Sequence, residues 1–358
     1  MCRWFAYISP IEPCLLADVL IDPKHSLTHQ VNDHYLPRLI AHLPDQITAE
    51  HEANARNRIL NADGLGVTWY TTSFADFDRG KTGESENGRK ESGMWPAVYK
   101  SIVPPSDDMN FHSICANTET RCCFAHIRAT SATPVVQVNN HPYLFGRIAF
   151  MHNGAVSDFL AIKRAVCDIL DEDTYANIFG GTDSEHVAAL YVHFLSNGRG
   201  KSSWEEEYSV EQMEQAMHSA VRTVVELQKK ILGDKAHPNS LNLAATDGTR
   251  MVAYRFRNHA NEQPPSLYYS TTAGVTLNRK YPDHPDGIDL PKRLKESRIA
   301  GQEHGAHVII ASEPSTYKDD EWTLIEKNQT VLVDKGGKME VRNIDYDSTW
   351  NAQDVIKS

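Results

Sequence analysis

The sequence predicts an α+β fold in which two antiparallel sheets pack face to face, with helices on their outer sides. The main observation is the order of the segments: apolar strand-like runs come first, amphipathic helical segments follow, and strand-like runs return. No Pro- or Gly-rich linker divides the chain, and no internal repeat is present. A single layered domain is therefore expected.

The strands predicted in the first part of the chain are short apolar runs that end at turn or polar residues. They cover residues 3–8, 67–70, 122–128 and 147–152, the last of which ends at Asn153-Gly154. Residues 14–20 predict one or two helical turns. Residues 76–93 are rich in Gly, Lys, Glu and Ser and predict a mobile loop insertion at the surface.

Helical spacing dominates the middle of the chain. Phe159, Ile162, Val166 and Leu170 share one face of a helix predicted over residues 157–170. A second helix, over 183–195, begins after the start signal Thr182-Asp183-Ser184-Glu185, and a third covers 210–232. Strands are then predicted at residues 241–246, 251–257, 267–270, 308–311 and 330–334, with a hairpin turn at Asp247-Gly248 and a charged excursion over 278–305.

Composition narrows the functional classes. The formal net charge of −11 argues against nucleic acid or an anionic membrane as the main partner. No apolar stretch is long enough for a transmembrane helix, and the apolar N-terminus meets Pro10 too early for a signal peptide. The six cysteines form no CxxC pair and the 17 histidines are scattered, so we expect a cytoplasmic protein without a metal or other cofactor.

Cys2 is the most informative residue. Removal of the initiator Met would leave a thiol and a free α-amino group on the same residue. Their ordinary pKa values, about 8.5 and about 8, allow the amine to act as general base for the thiol, directly or through water. The alternative is a chance cysteine at position 2.

Three further features suit the same chemistry, although each has an ordinary structural explanation. Asn153-Gly154 offers a side-chain amide and a backbone N–H to an oxyanion, or is a common turn. Arg128 can clamp a carboxylate, or close a strand at the surface. Asp183 can accept an ammonium group, or cap a helix. Together with Cys2, they describe a site for a zwitterionic amino-acid head with an acyl group nearby, as in a γ-glutamyl compound.

Seven segments in chain order resemble the class II glutamine amidotransferases of the N-terminal-nucleophile (Ntn) hydrolase superfamily. They are Met1-Cys2-Arg3-Trp4-Phe5-Ala6-Tyr7, Asn61-Ala62-Asp63-Gly64-Leu65-Gly66-Val67-Thr68-Trp69-Tyr70, Ala125-His126-Ile127-Arg128-Ala129-Thr130, Asn140-His141-Pro142, Met151-His152-Asn153-Gly154, Gly181-Thr182-Asp183-Ser184-Glu185 and Ala311-Ser312-Glu313-Pro314. Similar members include the fungal subunits of a cytosolic glutathione-degradation complex and the bacterial amidohydrolases of ergothioneine biosynthesis.

The resemblance implies a four-layer αββα fold and one amidotransferase domain over residues 2–348, with Met1 removed. It implies that Cys2 attacks the γ-carbonyl and forms a γ-glutamyl thioester, while Asn153 and Gly154 bind the oxyanion. It also implies substrate binding by Arg128, Asp183 and His141. In synthase-type relatives, a hydroxyl residue just after the Arg also touches the substrate carboxylate; Thr130 and Ser131 are both candidates for that contact here, and it stays unassigned.

No part of the chain remains as a second domain that could receive ammonia, and no P-loop is present. We therefore expect glutathione as substrate, cleaved to glutamate and Cys-Gly with a metallopeptidase-like partner subunit such as the fungal relatives use. The alternatives are a glutaminase subunit that supplies ammonia to a separate synthetase, and a non-catalytic γ-glutamyl sensor that keeps Met1. A metal-binding role for the histidines is a third alternative.

Overall fold

The computed structural model describes residues 2–32, 61–72, 94–130, 133–277, 305–316 and 318–352. Strands form two large antiparallel sheets and one small two-stranded sheet. The strands are β1 (Arg3–Ile8), β2 (Cys14–Leu15), β3 (Leu65–Thr71), β4 (Trp95–Ser101), β5 (Glu119–Thr120), β6 (Cys122–Ile127), β7 (Tyr143–Phe145), β8 (Ile148–Ala155), β9 (Ser240–Thr246), β10 (Met251–Arg257), β11 (Tyr268–Ser270), β12 (Val308–Ala311), β13 (Thr323–Leu324), β14 (Gln329–Val333) and β15 (Met339–Asn343).

Within the described residues, the α-helices come from four regions of the chain. They are α1 (Leu16–Leu20), α2 (Met109–Ala116), α3 (Phe159–Cys167), α4 (Glu172–Ala176), α5 (Asp183–Ser196), α6 (Val210–Leu232) and α7 (Ala273–Leu277). Helix α6 matches its predicted bounds, and it begins with a reciprocal capping box between Ser209 and Gln212. Helix α3 begins two residues later than predicted because Asp158, immediately before it, has a left-handed backbone, and it ends three residues earlier, at Cys167.

The first sheet has the order β13-β11-β12-β1-β6-β3-β4, and the second has the order β15-β14-β10-β9-β8-β7. In the central strands, successive apolar side chains point to opposite faces of the sheet, so the strands are buried on both faces. Trp4, Ala6 and Ile8 of β1 enter the core shared with the second sheet. Phe5 and Tyr7 enter a core on the other face of the first sheet.

Three apolar cores therefore separate four layers. One core lies between the sheets, where Trp4 and Phe124 share a cluster with Met151 and Ala244 of the second sheet. Helices α1, α2 and α7 contribute to the core on the outside of the first sheet. Helices α3, α5 and α6 contribute to the core on the outside of the second sheet. This is the αββα arrangement that the sequence predicts.

Two predicted segments fall wholly or mostly outside the described residues: the loop at 76–93, and the excursion at 278–305, of which only Gly305 is described. The strand predicted over 147–152 needs a correction. Strand β8 continues through Asn153 and Gly154 to Ala155. Since Asn153 pairs with Asn242 and Gly154 with Leu241 on β9, the Asn-Gly pair lies within the sheet and is not a turn.

Candidate active site

Cys2 immediately precedes β1, and its thiol lies against the chain that leaves the end of β6. The antiparallel register pairs Arg3 with Ile127, which brings Cys2 opposite Arg128. The Cys2 Sγ lies 3.3 Å from both Ala129 O, to which it donates, and Ala129 N, from which it accepts. The first strand therefore holds its leading thiol beside the segment that carries the predicted carboxylate clamp.

Burial raises the pKa of the Cys2 thiol above its usual range, although the Ala129 N–H and the positive charge of Arg128 act in the opposite direction. The thiol is consequently protonated at neutral pH. A reaction at this sulfur requires a base that takes the proton as the sulfur attacks.

Arg128 is buried, and its guanidinium contacts the loop that follows. Its Nη1 donates to Pro134 O at 3.0 Å, and its Nη2 donates to the hydroxyls of Thr130 and Thr133 at 3.3 and 2.5 Å. A guanidinium carries five N–H donors, so these contacts leave capacity for a carboxylate. Thr130 therefore contacts Arg128, and Ser131, the other candidate for the hydroxyl that touches the substrate carboxylate, lies outside the described residues.

The turn before β3 supports Arg128 through its backbone. Arg128 N donates to Gly64 O at 2.8 Å, and Asp63 N donates to Arg128 O at 3.0 Å. The Asp63 carboxylate accepts a further hydrogen bond, of 2.8 Å, from Thr130 N. Sequence reasoning did not assign a role to Asp63. The sequence indicates that Asp63 lies in an Asp-Gly turn, but it does not indicate the contact with Thr130, which is 67 residues away.

Asn153 is buried, and its side-chain amide is only weakly engaged. The Nδ2 atom lies 3.5 Å from Ser312 Oγ, at the limit of a hydrogen bond, and the Oδ1 atom has no hydrogen-bond partner among the described residues. Ser312 Oγ also accepts a 3.0 Å hydrogen bond from Trp4 N. Ser312, to which the sequence alone assigned no role, therefore connects the strand of Cys2 with Asn153.

Gly154 adopts a backbone that other residues avoid, with φ of +147°. A Cβ atom at this position would lie 1.8 Å from Ser240 O, so β9 could not approach β8 as it does. Gly154 is exposed, and β7 pairs with β8 only as far as Phe150. Beyond Phe150, this side of β8 has no strand beside it in the described part of the chain.

Asp183 is the first residue of α5, and the N-cap is its neighbour Thr182, whose hydroxyl accepts from Glu185 N at 3.1 Å. The ordinary explanation of Asp183 as the capping residue is therefore wrong. Its Oδ2 accepts from Val156 N at 2.7 Å, and its Oδ1 accepts from Ser184 N at 2.8 Å. The carboxylate is thus fixed beside the end of β8, and a carboxylate retains further acceptor capacity.

Three buried histidines lie behind these residues. The ring centroids of His126 and His141 are 4.0 Å apart, and His126 Nε2 lies 3.2 Å from His152 O. Burial lowers the pKa of His126 to about 3, and it also lowers the pKa values of His141 and His152. These rings are neutral at physiological pH. Both ring nitrogens of His141 have no hydrogen-bond partner among the described residues.

Two searches of the described residues concern other kinds of function. No helix in that part of the chain combines the length and the apolar character needed to cross a bilayer. No group of three His, Cys, Asp or Glu side chains in the described ranges is arranged to hold a metal ion.

Comparisons with known proteins address the family. No family model matches the chain. The chain is 27% identical over 338 residues to the Saccharomyces cerevisiae protein named Probable glutamine amidotransferase DUG3, which covers 94% of this chain and 82% of that protein. Among solved structures, a glutamine aminotransferase class-II domain protein from Silicibacter pomeroyi superposes with a TM-score of 0.53 at 16% identity. That superposition covers 96% of this chain and all of the other, and it shows a shared fold.

Proposed function

We propose that this chain is a class II glutamine amidotransferase of the Ntn type and that it hydrolyses the γ-amide bond of a γ-glutamyl compound. The proposed domain covers residues 2–348, with Cys2 at its N-terminus after removal of Met1. The observation that supports the proposal most strongly is the contact of Cys2 Sγ with Ala129, directly beside Arg128.

In the proposed reaction, the Cys2 sulfur attacks the γ-carbonyl carbon and the α-amine of Cys2 accepts the thiol proton. The tetrahedral oxyanion is stabilised by the Asn153 amide and the Gly154 N–H. The C–N bond then breaks, the leaving amine takes the proton, and a γ-glutamyl thioester remains. Water hydrolyses the thioester, which releases glutamate and restores the thiol.

The glutamyl head group has two charges, and the site offers one complement for each. We propose that Arg128 binds the α-carboxylate and that Asp183 binds the α-ammonium group. The family resemblance assigns His141 to substrate binding. Its ring is buried and packs against the ring of His126.

Glutathione is the proposed substrate, with glutamate and Cys-Gly as products and a metallopeptidase-like protein as partner subunit, in the cytoplasm. This choice rests on the resemblance of the seven segments to the fungal subunits of a glutathione-degradation complex. A glutaminase that supplies ammonia to a separate synthetase is the competing function, and the name of the yeast relative favours glutamine as that protein's substrate.

The test is to incubate the protein, with and without cell extract, with glutamine, glutathione and γ-glutamyl dipeptides, and to measure released glutamate and Cys-Gly. We expect glutathione cleavage by the wild type, none by Cys2→Ala and at most a trace by Cys2→Ser. Cys167→Ala is the matched control, because Cys167 is a partly exposed thiol on α3, and it should keep full activity.

Four outcomes would contradict parts of this proposal. Cleavage of glutamine alone under all conditions would favour the ammonia-supplying glutaminase. Turnover by Cys2→Ala, or covalent labelling by a diazo-ketone glutamine analogue at a residue other than Cys2, would exclude Cys2 as nucleophile. Intact-mass measurement that finds Met1 retained in the natural protein would favour a sensor.

A further inference from the structure

A buried ion pair lies one residue after the proposed nucleophile. Arg3 is 2% exposed and Glu313 is fully buried. Arg3 Nε donates to Glu313 Oε1 at 2.5 Å. The two residues are 310 positions apart in sequence, so the pair joins the first strand of the chain to the segment that follows β12.

The same guanidinium also holds Cys2. Arg3 Nη1 donates to Cys2 O at 3.0 Å, so the peptide group between the two residues is fixed by the ion pair. The residue before Glu313 continues this support. Ser312 N donates to Trp4 O at 2.9 Å, and Ser312 Oγ accepts from Trp4 N at 3.0 Å.

Energetic considerations indicate that stability alone does not explain such a pair. The desolvation penalty of a buried ion pair often equals or exceeds its Coulombic gain, and well-packed apolar residues stabilise a core at least as well. Chain termini, by contrast, fray unless they are tied down. In a mature chain that begins at Cys2, a single peptide bond connects the residue that carries the amine and the thiol to the rest of the protein.

We propose that Glu313 is a positioning residue: through Arg3 it fixes the Cys2 carbonyl, and with it the amine and the sulfur of the mature N-terminus, against Ala129 and Asn153. The proposal rests on the proposed function, since it takes Cys2 as the nucleophile. Ser312 acts in the same direction, because its hydroxyl contacts both Trp4 N and the Asn153 amide.

The test is Glu313→Gln, which keeps the shape of the side chain and removes its charge. Arg3 should then lose its fixed orientation, and kcat should fall about 10- to 100-fold, the scale of a small misplacement of a reacting group. KM should stay within about threefold, because the contacts proposed for the glutamyl head group are unchanged.

Asp247→Asn is the matched control. It removes the charge of a buried carboxylate that pairs with Arg250 at 2.9 Å, in the β9–β10 hairpin, with no contact to Cys2. Both variants should lower the melting temperature, whereas only Glu313→Gln should lower kcat. A purely structural pair predicts equal kcat for the two folded variants.

The ratio of two labelling rates gives a second measurement, which should not change if the ion pair has only a structural role. A diazo-ketone glutamine analogue requires an oriented thiol, whereas iodoacetamide requires only an accessible one. Glu313→Gln should reduce the rate of Cys2 labelling by the analogue about tenfold relative to the rate with iodoacetamide. An unchanged ratio together with unchanged kcat would overturn the positioning role.

Arg3→Lys decides the question if Glu313→Gln does not fold. The ammonium group keeps the charge, but it lacks the planar fork that reaches Glu313 and Cys2 O together. We expect the same loss of kcat and the same fall in the labelling ratio; wild-type values would overturn the proposal. If wild-type protein is not labelled at Cys2 and cleaves no γ-glutamyl amide, it is the proposed function that fails instead.

Discussion

At the scale of single residues, the candidate site depends on polar groups that are buried but not fully engaged. The Asn153 amide has one long contact and one oxygen without a partner among the described residues. A buried polar group without partners costs on the order of 1–3 kcal/mol, so proteins rarely keep one without a reason. An oxyanion that forms only during the reaction would accept a hydrogen bond from Asn153 Nδ2, whose one contact in the resting structure, with Ser312 Oγ, is 3.5 Å long.

The first prediction concerns this amide. Asn153→Ala should lower kcat about 100-fold or more, on the scale of one lost oxyanion donor, with little change in KM. Steady-state kinetics with the best γ-glutamyl substrate measure it. A fall confined to KM would argue that Asn153 binds the ground state.

Asn242→Ala is the control for this prediction. Asn242 is the β9 partner of Asn153 and is also buried, but its Nδ2 donates to Pro265 O and Ser266 O, both at 3.1 Å. The Oδ1 of Asn242, like that of Asn153, has no hydrogen-bond partner among the described residues, but its Nδ2 is already engaged. The substitution should therefore lower stability and leave kcat of the folded protein within about threefold. An equal loss of kcat in both variants would contradict a specific role for Asn153.

At the scale of elements, the site is assembled from strand ends and from the turns that join them to distant segments. The turn before β3 holds Arg128 by two backbone hydrogen bonds, and the Asp63 carboxylate holds Thr130 N. The beginning of α5 holds the end of β8 through Asp183 and Val156 N. Arg128 and Asp183, the two residues proposed to bind the glutamyl head group, are therefore each hydrogen-bonded to a segment distant from them in sequence.

The second prediction concerns the turn. Asp63→Ala removes the acceptor for Thr130 N and should loosen the segment that carries Arg128. We expect KM to rise about tenfold, which corresponds to the loss of one hydrogen bond to a charged group, about 1.5 kcal/mol. Since Asp63 does not contact the reacting atoms in the proposed mechanism, kcat should change less than KM.

Asp334→Ala serves as the comparison. Its carboxylate accepts from Gly336 N and Lys338 N at 2.8 and 2.9 Å in the β14–β15 hairpin, which lies at the end of the second sheet opposite Asn153. Kinetic constants of this variant should equal those of the wild type. A rise in KM for Asp334→Ala as large as that for Asp63→Ala would attribute the effect to general destabilisation.

At the scale of the whole molecule, the sequence predicts the central layers better than the edges. Strand β1 has its predicted bounds because its continuous apolar run is buried on both faces, and helix α6 has them because its apolar residues lie on one buried face. Strands β4 and β15 were not predicted, since they lie at sheet edges and are mostly half-buried, which removes the apolar pattern.

The same distinction holds for the candidate site. The residues that could act directly, such as Cys2 and Arg128, lie in recognisable motifs. Their supports do not stand out, because the role of Asp63, Ser312 or Glu313 depends on contacts between segments far apart in sequence. Such contacts are properties of the tertiary structure, and a local pattern in one sequence does not contain them.

The two sheets meet at the buried histidines, and this gives the final prediction. His126, His141 and His152 are neutral in the folded protein because burial lowers their pKa values, that of His126 from 6.5 to about 3. The unfolded chain binds protons at these positions below about pH 6.5. The unfolded state therefore holds more protons in this range, and the free energy of unfolding should fall as the pH falls.

Urea unfolding at pH 7.5 and at pH 5.5 measures this effect. Each fully shifted histidine contributes a loss of about 1.4 kcal/mol between these two values, so His126→Gln should reduce the wild-type loss by about that amount. The comparison of pH dependence, rather than of absolute stability, separates protonation from packing, because a packing defect lowers stability equally at both pH values. If His126→Gln keeps the full wild-type loss, the buried ring does not oppose protonation, and the acid sensitivity arises elsewhere in the protein.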